Sequence, residues 1–281
     1  MHISVTPLPC GGAMPRFGIG TWRMGEQTEV AAAEVALIRA AIERGVTLID
    51  TAEMYGEGGA ESVIGQAMRD AGVPREQLYL VSKVYPHNAS KRGTIAACER
   101  SLKRLGTECL DCYLLHWPGE HPLEDTVAAF ELLKAQGKIR AWGVSNFDVA
   151  DMQALLTAGG DGVATNQVLY NLSRRGVEFS LLPWQRERSI PTMAYSPVGQ
   201  ARLLDSHKLK AIARDVGVSP AQLAIAWLMN QPDVIVIPKT THIARLDENL
   251  GALDLRLEPS TLKALDAAFP APTRRTPLEM L

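Results

Sequence analysis

A short apolar run, a loop and an amphipathic helix recur eight times in this chain of 281 residues. Leu48–Asp50 belongs to one such run, which is too short for a helix and is followed by a turn with three glycines. Near-continuous apolar runs are typical of parallel strands that are covered on both faces. The sequence therefore predicts eight strands of this kind, at residues 17–20, 48–50, 78–83, 110–115, 139–144, 163–168, 191–195 and 234–237.

Eight strand–helix units on a chain of this length predict an α/β fold: one (β/α)8 TIM barrel, with residues 1–281 forming a single domain. Residues 3–14 hold two prolines and a glycine pair between short extended pieces, which predicts an N-terminal β-hairpin outside the repeat. Helices are predicted over 177–188 and 203–216, followed by one that Ser219 caps with Pro220 in its first position. Extra C-terminal helices are predicted after the last strand, one of them beginning at Pro259.

The composition excludes several classes of partner. The net charge is −2 and 46% of the residues are apolar, which gives no reason to expect nucleic acid or a membrane surface as a partner. Residues 1–17 lack the basic start and apolar core of a secretory signal, and no apolar run approaches the roughly 18 residues of a membrane span. A cytoplasmic location is therefore expected, and the chain is predicted to act as a monomer.

Cys109 and Cys112 match the C-x-x-C spacing of a redox pair, but a reactive pair needs a helix N-terminus to lower the thiol pKa. Here they adjoin or lie in a predicted strand, in which residues three apart point to opposite faces. The four cysteines are therefore expected to be reduced and structural. No metal site is predicted, because no helix-face pair is formed by the candidates His116, Glu120, His121 and Glu124.

Polar side chains stand at the carboxyl ends of the predicted strands, where barrels of this kind place their active sites. Two of these residues also have a structural interpretation: Lys83 could be a solvated strand end, and His116 could be a core histidine that is hydrogen-bonded to the backbone. Their joint occurrence on neighbouring strands favours a functional site. The residues at these ends are Asp50, Ser82, Lys83, His116, Trp117, Ser145, Asn146, Asn166, Gln167, Tyr195, Ser196, Pro238, Lys239 and Thr240.

Asp50, Tyr55, Lys83 and His116 form a candidate proton-donating set. A phenol has a pKa of about 10 and is a poor acid at neutral pH. The ammonium of Lys83 is expected to lower the pKa of Tyr55, and the carboxylate of Asp50 to hold that ammonium in place. An imidazole N–H can orient a carbonyl beside the phenol. The set therefore suits carbonyl reduction, provided that a hydride source binds at the same rim.

Four segments follow one another in a fixed order: residues 50–55 (DTAEMY), 82–83 (SK), 114–118 (LLHWP) and 137–147 (GKIRAWGVSNF). In this order they resemble the motifs of the aldo-keto reductase family over essentially the whole chain, most closely its bacterial branch that includes methylglyoxal reductases. The resemblance implies NADPH-dependent reduction of small aldehydes, ketones or 1,2-dicarbonyls such as methylglyoxal. It implies that Tyr55 is the general acid, that Lys83 and Asp50 tune it, and that His116 orients the carbonyl.

The resemblance also implies where the nicotinamide lies. Ser145, Asn146 and Gln167 would hold its carboxamide, Tyr195 would stack on its ring, and residues 196–200 would border the pyrophosphate. The full set of predicted coenzyme residues is Gly20, Thr21, Trp22, Asp50, Ser145, Asn146, Gln167, Tyr195, Ser196, Pro197, Val198, Gln200, Ile237, Pro238, Lys239, Thr240, Arg245, Glu248 and Asn249.

The coenzyme's phosphate end is predicted from two cations. Lys239 and Arg245, with the hydroxyl of Thr240 between them, offer what a ribose 2′-phosphate requires, which favours NADPH over NADH. The alternative is that Arg245 and Glu248 form an ordinary surface pair along a helix.

The predicted substrate pocket has apolar and aromatic walls. The loops after the fourth and seventh strands and the tail after Ala268 are short, which predicts an open, shallow pocket for small substrates. Its predicted residues are Trp22, Met54, Tyr85, His116 and Trp117.

Other enzyme classes fit the sequence less well. Tyr79 and Lys83 share the Y-x-x-x-K spacing of short-chain dehydrogenases, but four residues of a strand span about 13 Å, beyond hydrogen-bond reach. Residues 18–20 begin like a dinucleotide fingerprint, yet Arg23 occupies the third glycine position. A barrel that binds NADPH as a regulatory or partner-binding subunit stays open, although it needs no tuned acid. An aldolase that uses Lys83 as a Schiff-base amine leaves residues 239–249 unexplained.

Overall fold

The computed structural model describes residues 3–281. An antiparallel hairpin precedes an eight-stranded sheet whose strands are parallel and follow chain order. The hairpin consists of β1 (Val5–Pro7) and β2 (Ala13–Pro15). The barrel strands are β3 (Gly18–Gly20), β4 (Leu48–Asp50), β5 (Tyr79–Val84), β6 (Leu110–Leu115), β7 (Ile139–Ser145), β8 (Val163–Leu169), β9 (Thr192–Tyr195) and β10 (Val234–Ile237).

Helices connect the strands and cover the outside of the sheet. Successive strands are parallel, so each connection must return the chain to the same end of the barrel. The α-helices are α1 (Ala31–Glu43), α2 (Gly59–Ala71), α3 (Lys91–Leu105), α4 (Leu123–Ala135), α5 (Val149–Thr157), α6 (Leu181–Arg186), α7 (His207–Val216), α8 (Pro220–Met229), α9 (Ile243–Leu250) and α10 (Pro259–Ala268).

The sheet closes on itself between β3 and β10. Phe17 and Val236 form a parallel bridge, and the Val236 N–H donates to the Arg16 carbonyl at 2.8 Å. At the other end of the seam, the Gly20 N–H donates to the Pro238 carbonyl at 3.0 Å. The predicted (β/α)8 barrel, with its N-terminal hairpin and extra C-terminal helices, is confirmed.

The N-terminal hairpin packs against one end of the barrel interior. Leu8 and Met14 of the hairpin are buried in one cluster with Leu48, Val81 and Cys112 of the strands. Because side chains fill a barrel of this size, the interior is a packed core and not a channel. The carboxyl ends of the strands are therefore left for a ligand site.

The predicted continuous helix over 177–188 is wrong. The segment forms a 3-10 turn at Gly176–Glu178 and then the six-residue helix α6. Pro183 has no N–H to donate, and inside a longer helix its ring would clash with the carbonyl of Phe179. Pro183 is instead the third residue of α6. The first N–H groups of a helix have no intrahelical partner, so the missing N–H of a proline costs no hydrogen bond there.

The helix predicted over 203–216 begins later than expected. Residues Gly199–Asp205 form 3-10 turns in which Gln200 has a φ of 52°, a left-handed conformation that interrupts a helix. Ser206 then caps α7, since its side chain accepts a hydrogen bond from the Leu209 N–H. The N-cap predicted at Ser219 is present, and it forms a capping box with Gln222.

The four cysteines are free, and Cys98 and Cys112 are buried. Burial raises the pKa of the Cys98 thiol to about 12, so this cysteine is a poor nucleophile at neutral pH. Among residues 3–281, no helix is both long enough and apolar enough to cross a membrane.

Candidate active site

A cavity of about 590 Å³ opens at the carboxyl ends of the barrel strands. Most residues that the sequence assigns to coenzyme or substrate meet there. Those that line it are Gly20, Thr21, Trp22, Asp50, Met54, Tyr55, His116, Trp117, Ser145, Asn146, Gln167, Tyr195, Ser196, Pro197, Val198, Gln200, Ile237, Lys239, Thr240, Arg245, Glu248 and Asn249.

Three residues of the predicted catalytic, coenzyme and substrate sets do not line the cavity. Lys83 lies behind its wall and is fully buried. Pro238 takes part in barrel closure through its carbonyl. Tyr85, a predicted substrate residue, lies outside the cavity lining, and its ring packs against the rings of Trp117 (5.2 Å) and His87 (4.3 Å).

Lys83 holds the candidate proton donor and its partners together. Its Nζ donates to Asp50 Oδ2 at 2.8 Å and to the Thr51 carbonyl at 2.8 Å, and lies 3.3 Å from the Tyr55 hydroxyl. Asp50 ends β4 and Lys83 lies near the end of the neighbouring strand β5, so sheet pairing sets this geometry. The His116 ring follows β6 and meets the Tyr55 ring edge-on, with centroids 5.7 Å apart.

The electrostatics of Tyr55 correct one expectation. Its phenol faces the cavity but is surrounded by protein, and this burial raises the pKa above its ordinary value. Lys83 opposes the shift and Asp50 adds to it. The predicted net lowering is therefore wrong, because the cost of burying a phenolate exceeds the attraction of the ammonium. Tyr55 is a protonated donor throughout the neutral pH range.

Lys83 is charged and His116 is neutral, because their pKa values shift in opposite directions. Burial alone would lower the pKa of Lys83, but Asp50 and Tyr55 raise it above its ordinary value, so it stays an ammonium. Burial, and secondarily Lys83, hold the pKa of His116 well below its usual range. His116 is thus neutral at pH 7, with one ring N–H to donate.

Amide and hydroxyl groups form a shelf on the opposite side of the cavity. Asn146 Nδ2 donates to the His116 carbonyl and to Ser145 Oγ, both at 3.1 Å, while its Oδ1 accepts from the Tyr195 hydroxyl at 2.9 Å. Asn146 has a φ of 59°, which an asparagine tolerates better than most residues. Gln167 extends the shelf by donating from Nε2 to Asp50 Oδ1 at 2.7 Å.

Cationic side chains gather at the far end of the cavity. Lys239 is half-buried and follows β10, and burial lowers the pKa of its ammonium. Arg245 lies exposed on α9 and does not form a salt bridge with Glu248 within the described part of the chain. The Thr240 hydroxyl accepts from the His242 N–H at 3.1 Å, which fixes the turn between strand and helix.

Two residues predicted at the rim face the helices instead. Ser82 donates to Glu61 of α2 at 2.5 Å, and Asn166 donates to Gln185 of α6 at 2.9 Å. Each precedes a residue of the site, Lys83 or Gln167, and successive strand side chains point to opposite faces. The alternation of the strands could have predicted this.

Several residues at the site were missed. Arg23, Ala201, Leu204, Pro220, Ala221, Met280 and Leu281 also line the cavity. The last two come from the tail, which returns to the barrel mouth; sequence proximity gives no signal for that contact. Arg23 stands beside a predicted site residue, Trp22, and its charge could have marked it.

Glu53 was also missed, although it lies inside the quoted motif. Its buried carboxylate accepts from the Tyr85 N–H at 2.9 Å and from Asn88 Nδ2 at 3.0 Å, and pairs with Arg100 at 3.1 Å. These contacts join the loop that carries Tyr55 to the loop after β5.

The model of the Aldo/keto reductase family matches residues 16–269, which is most of the chain. The chain belongs to the aldo/keto reductase family. The predicted enzyme class, an oxidoreductase that acts on carbonyl and alcohol groups, is thereby confirmed.

Relatives within the aldo/keto reductases include enzymes of small dicarbonyls. Methylglyoxal reductase YeaE of Escherichia coli K12 is 50% identical over 275 residues, which is 96% of each chain. A glyoxal reductase of Bacillus subtilis is 36% identical over 257 residues, covering 92% of this chain and 90% of the relative.

Solved aldo/keto reductase structures have the same fold. A Klebsiella pneumoniae aldo/keto reductase in complex with NADP and acetate superimposes with a TM-score of 0.94 at 48% identity, with both chains fully covered. The resemblance found in the sequence is therefore confirmed over the whole chain.

Proposed function

We propose that this protein reduces small aldehydes, ketones or 1,2-dicarbonyls such as methylglyoxal to alcohols, with NADPH as the coenzyme. The observation that carries the proposal is the contact of the Tyr55 hydroxyl with Lys83 Nζ, 3.3 Å apart, at a cavity wall that also carries a neutral imidazole. The names of the relatives, methylglyoxal reductase and glyoxal reductase, support the substrate class.

The cavity fits a dinucleotide. It runs from the amide shelf near Tyr195 to the cations Lys239 and Arg245, so one end matches a carboxamide and the other a phosphate. NADPH supplies the hydride when it is bound. The Klebsiella structures in complex with NADP and NADPH, which share this fold, support the choice of coenzyme.

The residues of this chain would then act in separate roles. Tyr55 donates the proton to the carbonyl oxygen, and His116 orients that oxygen through its ring N–H. Lys83 stabilises the phenolate that forms, since its ammonium lies within hydrogen-bond reach. Asp50 holds the ammonium through a 2.8 Å contact. A charged Lys83 cannot attack a carbonyl as an amine, which disfavours the aldolase alternative.

The substrate would lie against the apolar wall formed by Trp22, Met54 and Trp117. An apolar wall with two polar anchors suits a small carbonyl compound. The competing function, an NADPH-binding regulatory barrel without catalysis, has no use for a buried ammonium and carboxylate behind a phenol. The proposal keeps the expectations of a single domain, a monomer and a cytoplasmic location.

The test is the loss of NADPH absorbance with a panel of carbonyl compounds. We expect turnover of methylglyoxal and small aldehydes, with a higher kcat/KM for methylglyoxal than for a steroid ketone, because the apolar wall of Trp22, Met54 and Trp117 suits a small carbonyl compound. NADPH binding without turnover of any compound would favour the regulatory barrel. A steroid preference would overturn the proposed substrate class.

A further inference from the structure

Gln167 on β8 reaches across the barrel to Asp50 on β4. Its Nε2 donates to Asp50 Oδ1 at 2.7 Å, while Lys83 donates to the other oxygen, Oδ2, at 2.8 Å. An ionised carboxylate can only accept hydrogen bonds. The NH2 end of Gln167 must therefore face Asp50, and its carbonyl end points elsewhere.

The carbonyl end of Gln167 is available to a ligand. Oε1 accepts no hydrogen bond from residues 3–281, and it is not among the side-chain atoms that are buried without a partner. Gln167 lines the cavity with only 2% of its surface exposed. An accessible but unpaired acceptor suits an N–H donor, and the primary carboxamide of a nicotinamide coenzyme carries one.

We propose that Gln167 is a positioning residue that couples coenzyme binding to the acid strength of Tyr55. The inference rests on the proposed function, because it requires a nicotinamide in the cavity. An N–H donor bound at Oε1 polarises the amide and strengthens the N–H that Gln167 gives to Asp50. Asp50 then neutralises Lys83 less, and the ammonium of Lys83 stabilises the developing phenolate more.

No other described side chain connects the shelf of amide and hydroxyl groups to Asp50 or Lys83 by a hydrogen bond. The charged or titratable groups around Tyr55 are Asp50 from β4, Lys83 from β5, His116 after β6 and Tyr195 from β9. His116 and Tyr195 are neutral at pH 7, so the charge balance at Tyr55 depends on Asp50 and Lys83. Gln167 is the shelf residue that contacts Asp50.

Gln167→Glu tests the coupling through a pH profile. At low pH the new carboxyl is protonated, donates to Asp50 and keeps its carbonyl oxygen for the coenzyme. Its pKa is raised by the neighbouring carboxylate, and above that pKa the donor is lost and a second negative charge faces Lys83. We expect the single-turnover rate of NADPH consumption to be near wild type at pH 5.5 and to fall at least about tenfold by pH 8.5.

NADPH affinity provides a readout that is independent of activity. Because an ionised carboxylate still accepts the carboxamide N–H, fluorescence titration should show a Kd for Gln167→Glu that changes little over the same pH range. Gln167→Met, which has no donor and only a weak thioether acceptor, should weaken NADPH binding and lower the rate at every pH. Gln153→Glu is the matched control: it makes the same amide-to-carboxyl change at an exposed position of α5 outside the cavity, and its rate should not depend on pH in this range.

The ligand-free protein gives a second check of the contact. A carboxyl whose pKa is raised in the folded state binds more protons there than in the unfolded chain, so the stability falls as pH rises through that range. The Tm of Gln167→Glu should therefore fall relative to wild type between pH 5 and pH 8, whereas that of Gln153→Glu, with an exposed carboxyl, should not.

Two results would overturn the coupling. One is a pH-independent rate for Gln167→Glu; the other is a loss of NADPH affinity in Gln167→Met with an unchanged single-turnover rate at saturating NADPH. If the wild type itself reduces no carbonyl compound, the proposed function fails instead, and the two failures are thus distinguishable.

Discussion

At the level of single residues, the sequence predicts some contacts between charged side chains but not the direction of every pKa shift. The contact between Tyr55 and Lys83 was predictable, because Tyr55 follows β4 and Lys83 lies near the carboxyl end of the neighbouring parallel strand β5. The direction of the Tyr55 pKa was not, since it depends on the desolvation of the phenol by the surrounding walls. The bond from Gln167 to Asp50 could not be foreseen either, because the two residues are 117 positions apart.

The pKa shifts predict a broad pH optimum for reduction. The pKa of Tyr55 is raised, so the phenol stays protonated even at a pH above the ordinary pKa of a tyrosine. The pKa of His116 is lowered, so the imidazole stays neutral even at a pH below the ordinary pKa of a histidine. Proton donation requires the protonated phenol and the neutral imidazole. The single-turnover rate should therefore change less than about threefold between pH 6.5 and pH 9.5. A titration step with its midpoint inside this range would contradict the assignment.

Lys239 and Arg245 are predicted to select the coenzyme. Replacing either with alanine should weaken NADPH binding by about 1.5–3 kcal/mol, which is the worth of a hydrogen bond to a charged group. NADH lacks the 2′-phosphate, so its affinity should change much less. Fluorescence titration with both coenzymes measures this, and equal losses for the two would refute the 2′-phosphate contact.

At the scale of elements, the periodic strands and helices were predictable and the irregular segments were not. The apolar runs of β6 and β10 have the predicted bounds, because buried parallel strands are continuous in apolar residues. The segments before α6 and α7 form 3-10 turns, whose short-range hydrogen bonds leave no periodic signal. Glu61 shows a further limit: its sequence position does not reveal that it is buried.

Glu61 is predicted to fix α2 to its neighbours. Its fully buried carboxylate accepts from Ser82 at 2.5 Å and pairs with Arg104 at 2.6 Å. Glu61→Ala should lower the free energy of unfolding by about 3 kcal/mol, because it leaves a partly buried guanidinium unpaired. Glu43→Ala, which breaks the exposed pair with Arg39, is the control and should cost less than about 0.5 kcal/mol. Urea unfolding compares the two, and equal losses would contradict the structural role of Glu61.

On the scale of the whole molecule, the repeat of eight units determines the barrel, and the barrel determines which strand ends meet. That much could be predicted, because parallel strands in chain order bring their carboxyl ends to one face. The return of Met280 and Leu281 to the cavity could not, since it depends on exposed tail contacts such as the pair of Arg275 with Asp148. The cavity therefore has a tail-derived wall that an open pocket would lack.

We propose that the barrel mouth brings a proton donor to a carbonyl beside a bound coenzyme. Tyr55→Phe keeps the ring and removes only the hydroxyl that lies 3.3 Å from Lys83 Nζ. We predict that its single-turnover rate with methylglyoxal falls at least about 100-fold, while the Kd for NADPH stays within about twofold of wild type because the coenzyme contacts remain. A wild-type rate in this variant, with NADPH bound normally, would contradict the account.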